Sequence, residues 1–218
     1  MIAGRLIALA IGYCFGMILM GYLIGKSKNI DLTKVGSGNV GTTNTLRNLG
    51  VSAGLITLVW DCLKCVVAVF VVWLFFRNFY DNIYIYKMYA GLGVVLGHDF
   101  PVYMKFKGGK GIASTLGFII ALFPMGLPIP AIIFIAIVAL TRYVSLGSMI
   151  GVFSFAAEMV VAAKMGMLDD VFVGKELTEA VVICCVVAAI AIALHHANIK
   201  RLINGNENKF SFHPETRE

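Results

Sequence analysis

The chain has 218 residues, 59% of them hydrophobic and 14% charged, with a mean hydropathy of +0.87 and a formal net charge of +6. Soluble domains carry about 25% charged residues, so an ordinary soluble protein is excluded and an integral membrane protein is expected, its length allowing a single membrane domain over residues 1–218. The positive balance does not call for nucleic acid, because lysines and arginines in such a chain first sort by membrane side.

Apolar runs occupy residues 6–24, 51–76, 83–96, 112–123, 127–140, 144–163 and 180–194. The first run is unbroken to about the length of a span and has no clear small-residue cleavage site, so it is expected to stay as a helix rather than leave as a signal peptide. Read singly, the runs predict an all-α polytopic protein with seven transmembrane helices. Several are shorter than the about 20 residues a span needs. The fourth and fifth, broken by Pro124, Pro128 and Pro130, could instead form one re-entrant hairpin, leaving five spans of the same parity.

An odd number of spans puts the termini on opposite sides. Loops 26–50 and 97–110, Arg142 and the tail hold twelve lysines and arginines, the tail contributing Lys200, Arg201, Lys209 and Arg217. The other side holds five: Arg5, Arg77, Lys87, Lys164 and Lys175. The positive-inside rule then predicts a cytoplasmic C-terminus and an N-terminus outside. Within the second run Asp61 and Lys64 lie three apart on one helical face, either as an ion pair that locks packing or as a lining of the site. The five cysteines, Cys14, Cys62, Cys65, Cys184 and Cys185, all fall inside apolar runs, and Cys62-x-x-Cys65 has no second pair at ligand spacing, so neither a metal nor a cofactor is expected.

Three polar stretches fall on the predicted cytoplasmic side. GSGNVGTTNTLRNLG (36–50) offers Ser37, Asn39, Thr42, Thr43, Asn44 and Arg47, hydroxyl and amide donors with one guanidinium fork that suit an array of anionic oxygens. The same residues also serve ordinary helix caps and turns. GHDFPVYMKFKGGKGIAS (97–114) combines Lys105, Lys107 and Lys110 with Gly108, Gly109 and Gly111, whose missing Cβ lets a backbone take positive φ and approach phosphate, helped by the positive start of a following helix. It is not a Walker A loop, because Gly111 follows Lys110. HHANIKRLINGNENKF (195–210) places His195 and Asn198 on one face of a helix continuing from the last span, with Glu207 beyond.

Other chemistries are missing. There is no G-x-S-x-G elbow, and no aspartate set of the kind that holds a metal for phosphoalcohol transfer. The H-x-x-x-x-D box of thioester-dependent acyltransferases is absent too: the fifth residues after His98, His195, His196 and His213 are Tyr103, Lys200, Arg201 and Glu218.

Taken together and in this order, the three stretches resemble the signature motifs of the bacterial acyl-phosphate:glycerol-3-phosphate acyltransferase family, PlsY, over nearly the whole chain. The resemblance implies a seven-span enzyme of the bacterial cytoplasmic membrane, its site facing the cytoplasm, that acylates the sn-1 hydroxyl of glycerol 3-phosphate from acyl phosphate. Lysophosphatidic acid and phosphate are the products. By the same resemblance Ser37, Arg47, His195 and Asn198 are catalytic, and Thr43, Asn44, Gly108, Gly109, Lys110 and Gly111 bind substrate, with Lys105 joining them for its positive charge. Glu207 is structural near the site. Thr42, Ser114 and His196 stand where alanine, threonine and arginine are common in the family. An acyl phosphate is an activated anhydride, so direct attack without a covalent acyl-enzyme is expected, with the donor phosphate or His195 taking the proton and Ser37, Arg47 and Asn198 stabilising charge. A transporter for a phosphorylated anion is the competing class; it expects inverted repeats, and the two halves show no self-similarity.

Overall fold

An apolar segment in lipid must satisfy its backbone internally, which favours helix. In the computed structural model every regular element among the described residues is helical. Residues 2–210 are described; Met1 and residues 211–218, which include His213, Arg217 and Glu218, lie outside them. The helices are α1 (Ile2–Gly16), α2 (Met20–Ser27), α3 (Thr42–Leu49), α4 (Val51–Phe76), α5 (Tyr84–Asp99), α6 (Ile112–Leu122), α7 (Pro128–Thr141), α8 (Val144–Lys164), α9 (Lys175–Leu194) and α10 (His196–Ile203). Five stretches are long and apolar enough to cross a membrane: Ile2–Ser27, Val51–Phe76, Pro124–Thr141, Val144–Lys164 and Lys175–Leu194. Large apolar side chains point outward along them, among them Leu55, Val59 and Phe70 of α4 and Ile132, Ile135 and Leu140 of α7, as lipid-facing surfaces require.

The central helix is α5, which packs against α1, α4, α6 and α9. Its closest neighbour is α1, and small residues make the approach possible. A Cβ on Gly12 would lie 1.9 Å from the Ala90 carbonyl oxygen, and one on Gly93 would lie 2.2 Å from that of Leu9. One turn on, a Cβ on Gly16 would lie 2.3 Å from Val94 O and one on Gly97 would lie 2.2 Å from Tyr13 O. Away from the polar stretches, Arg5 donates to both carboxylate oxygens of Glu179 (2.7 and 2.8 Å), and Tyr89 Oη donates to the same acid, tying α1, α9 and α5 together.

The first apolar run differs from its sequence reading. It is not one helix: the backbone opens at Met17–Leu19, between α1 and α2. Opened helical carbonyls inside an apolar layer need donors, and here tertiary neighbours supply them. Lys64 Nζ donates to Gly16 O (3.0 Å) and Ile18 O (3.3 Å), Tyr103 Oη to Met17 O (2.6 Å) and Trp60 Nε1 to Ile18 O (3.2 Å). The last run also ends differently. Instead of continuing, α9 stops at Leu194 and α10 restarts at His196, with His195 at the joint.

Candidate functional site

Positive φ at Gly36 (59°) and Gly38 (71°) turns the first polar stretch back on itself before α3 begins. The buried Asn44 side chain holds this turn. Its Nδ2 donates to the carbonyls of Asn39 (2.7 Å), Val35 (3.1 Å) and Leu32 (3.2 Å), while Oδ1 accepts from the backbone N–H of Ser37 (2.9 Å) and from Asn48 Nδ2 (3.0 Å). Every polar atom of the Asn44 amide is therefore engaged with the protein. Ser37 and Thr43 flank it, both half-buried, and Arg47 in the last turn of α3 donates to Asn208 O (3.3 Å), joining the first stretch to the third.

In the second stretch the glycines meet the chain's own atoms. A Cβ on Gly108 would lie 2.1 Å from His98 O, and one on Gly109 would lie 1.9 Å from His98 Nε2. The backbone N–H groups of Gly108 and Gly109 donate to Asp99 O and His98 O, both at 2.9 Å, folding the loop back on the end of α5. Of the three glycines only Gly111 has positive φ (68°), and a Cβ there would lie 2.9 Å from the Asp99 carboxylate. The glycines let the loop close on His98 and Asp99. Lys105 is exposed, in the left-handed region at φ 53°. His98 is buried and its Nδ1 lies 2.8 Å from Lys64 Nζ, which itself contacts Asp61 Oδ1 at 2.9 Å.

Lys110 leaves this loop toward the third stretch and donates to Asn198 Oδ1. Asn198 Nδ2 donates to Glu207 Oε1 (2.7 Å), which also accepts from Ser145 Oγ (2.8 Å), and Arg201 Nε donates to Glu207 Oε2 (2.7 Å). Burial pushes the Lys110 ammonium down to about 8, with the Arg201 charge acting the same way and Glu207 opposing. Burial works to raise the Glu207 carboxyl, but hydrogen bonds from Asn198, Arg201 and Ser145 outweigh it and hold the group below the usual carboxylate range. His195 is lowered to about 4, chiefly by burial, so its ring is neutral near pH 7. Its Nδ1 lies 2.7 Å from Ala191 O. A carbonyl oxygen only accepts, so Nδ1 carries the proton and Nε2 keeps its lone pair.

The model of the glycerol-3-phosphate acyltransferase family matches residues 6–205. The chain belongs to that family. It is 42% identical over 199 residues to a glycerol-3-phosphate acyltransferase of Thermosipho melanesiensis, covering 91% of this chain and 89% of the relative. A Geobacter sulfurreducens protein of the same name is 38% identical over 206 residues, covering 94% and 97%. The crystal structure of PlsY, an integral membrane glycerol 3-phosphate acyltransferase, in its glycerol 3-phosphate form superposes with a TM-score of 0.80 at 33% identity, covering 95% of this chain and 96% of that one. Its lysophosphatidic acid form gives a TM-score of 0.77 at 31% identity, with the same coverage.

Within this PlsY-family chain, Lys110, Asn198 and Glu207 form one connected network, and Arg47 reaches the strand of tail that follows Glu207. Lys105 stands apart from that network on the exposed turn. Asn198, expected to steady an oxyanion, has its amide engaged at both ends. Ser145 and Arg201 are the residues that sequence reasoning missed. Ser145 was hidden in an apolar run and Arg201 among charges that mark a membrane surface; a serine in the first turn of a span was the only available signal.

Proposed function

We propose that the protein transfers an acyl group from acyl phosphate to the sn-1 hydroxyl of glycerol 3-phosphate, giving lysophosphatidic acid and inorganic phosphate. The observation that supports this best is the meeting of all three polar stretches at one end of the bundle, through Lys110 with Asn198 and Arg47 with Asn208. That end concentrates Arg47, Lys110 and Arg201 in partly buried positions, which suits two phosphorylated reactants. The glycerol oxygen attacks the acyl carbonyl carbon and the bond to the phosphate oxygen breaks, with no covalent acyl-enzyme. The hydroxyl proton passes to Nε2 of His195 or to the departing phosphate. Arg47, Ser37 and Lys110 take the developing negative charge, Thr43 and the Gly108–Gly109–Gly111 loop line the approach, and Lys105 draws anions to its rim. Asn44 shapes the first stretch and Asn198 aims Lys110.

The positive-inside rule puts this end in the cytoplasm of a bacterial cell, with the N-terminus outside, residues 1–218 acting as one domain, and the seven apolar runs embedded in the inner membrane, of which α6 enters only part of the layer. At 11 residues α6 rises only about 16 Å, roughly half a hydrocarbon layer, which sinks the site toward the depth of a lipid carbonyl. The test is purified protein with palmitoyl phosphate and glycerol 3-phosphate. Phosphate release that requires both is expected. No release overturns the reading, and a radiolabelled Ser37 acyl-enzyme trapped without acceptor overturns direct transfer.

A further inference from the structure

Beneath the glycine–lysine loop, and outside the machinery assigned above, lies a buried charged cluster. Asp61 and Lys64 are each 1% exposed and His98 is 2% exposed. Lys64 Nζ has four acceptors within 3.3 Å: Gly16 O, Ile18 O, Asp61 Oδ1 and His98 Nδ1. An ammonium has only donors, so His98 Nδ1 accepts and the ring's proton lies on Nε2. That nitrogen faces Gly109, where even a methyl group would overlap it. Each link is set by the previous one: the break between α1 and α2 holds the ammonium, the ammonium sets the imidazole, and the imidazole sets how closely the loop can settle. A plain ion pair does not account for this, because burying two charges gains little over an apolar pair of the same volume. The contacts to the helix break and to the loop are what the charge makes possible.

We propose that Asp61, Lys64 and His98 are positioning residues that set the seat of the Gly108–Gly109–Lys110 loop, and through it the placement of Lys110 on the phosphate of glycerol 3-phosphate. This rests on the function proposed above. None of the three touches substrate in this scheme. Displacing a binding group by about 1 Å can cost about 100-fold in rate, so Lys64→Met and His98→Ala should each lose about that factor in kcat/KM for glycerol 3-phosphate. The loss should lie in KM for glycerol 3-phosphate, with KM for palmitoyl phosphate within twofold of wild type. A merely structural role lowers the active fraction, and hence kcat, while leaving both KM values alone.

The loop contact is tested separately, so that a Lys64→Met protein that does not fold leaves a decision in hand. Gly109→Ala forces a methyl group against His98, whose ring supplies the three atoms nearest that position, and Gly109→Ala/His98→Ala removes them. The double variant is expected to match His98→Ala within twofold. Unchanged KM values in the folded single variants, or losses that multiply in the double variant, overturn the proposal. Wild-type protein that releases no phosphate from the two substrates sinks instead the functional reading on which it rests.

Discussion

The proposed role of Lys110 makes phosphate affinity depend on pH in a direction that can be worked out in advance. The free ammonium titrates at about 8 because burial disfavours its charge. A phosphate ligand binds the charged form, so affinity is full below that value and is lost as pH rises through it. At one unit below the midpoint about ten elevenths of the lysines are charged, and at one unit above it about one eleventh. Between pH 7 and 9 the Kd for glycerol 3-phosphate should therefore rise about 10-fold, or about 1.4 kcal/mol. The ligand adds little to this slope, since the second pKa of a phosphate monoester is about 6 and the dianion already predominates at pH 7. Nor does unfolding: a lysine whose folded pKa lies below its unfolded value of about 10.4 makes the fold more stable as pH rises over this window. Calorimetric titration of glycerol 3-phosphate into the detergent-purified protein at pH 7, 8 and 9 measures it, with Lys110→Met as the variant whose affinity is low and flat. A flat wild-type profile, or an equal fall in Lys110→Met, refutes the assignment of Lys110 to phosphate.

Glu207→Ala strips the shared acceptor from Ser145, Asn198 and Arg201. With hydrogen bonds to charged groups worth about 1.5–3 kcal/mol each and part of that recovered by water, a loss of about 3 kcal/mol is expected in thermal or denaturant unfolding. Glu207→Gln should fall between the two, and a wild-type unfolding midpoint in Glu207→Ala would dismiss the network's importance. Because the Glu207 carboxyl is held below its ordinary value, its contribution is present above about pH 4.5 and fades as the medium is acidified through the folded pKa. For His195 the neutral ring should persist to about pH 4. Imidazole NMR should show one resonance titrating there and missing from His195→Gln; a His195 resonance titrating near about 6.5 would contradict burial as the controlling influence.

Much of the molecule was legible before any fold was known. Long apolar runs between turn-rich stretches require helices in lipid, and the prolines at 124, 128 and 130 correctly marked an interruption, seen as a short turn at Pro124–Gly126 before α7. The Asp61–Lys64 pairing also followed from helical spacing. The break after Gly16 was not legible. Its apolar residues suit a continuous helix locally, and the donors that stabilise the break come from Trp60, Lys64 and Tyr103, more than forty positions away.

The site divides in the same way. Composition and spacing alone determined that three polar islands lie between apolar helices, and that they carry the donors and cations an anionic substrate needs. Only the tertiary structure decided which of those groups face one another. Asn44 spends its amide on its own loop, Gly109 makes room for His98, and Glu207 gathers Asn198, Arg201 and Ser145. The physical reason is that partition into a membrane and helix formation are sums over neighbouring residues. A hydrogen bond between Lys110 and Asn198 depends instead on where separate helices cross, and the glycine contacts between α1 and α5 that help set one such crossing are invisible until both helices are in place.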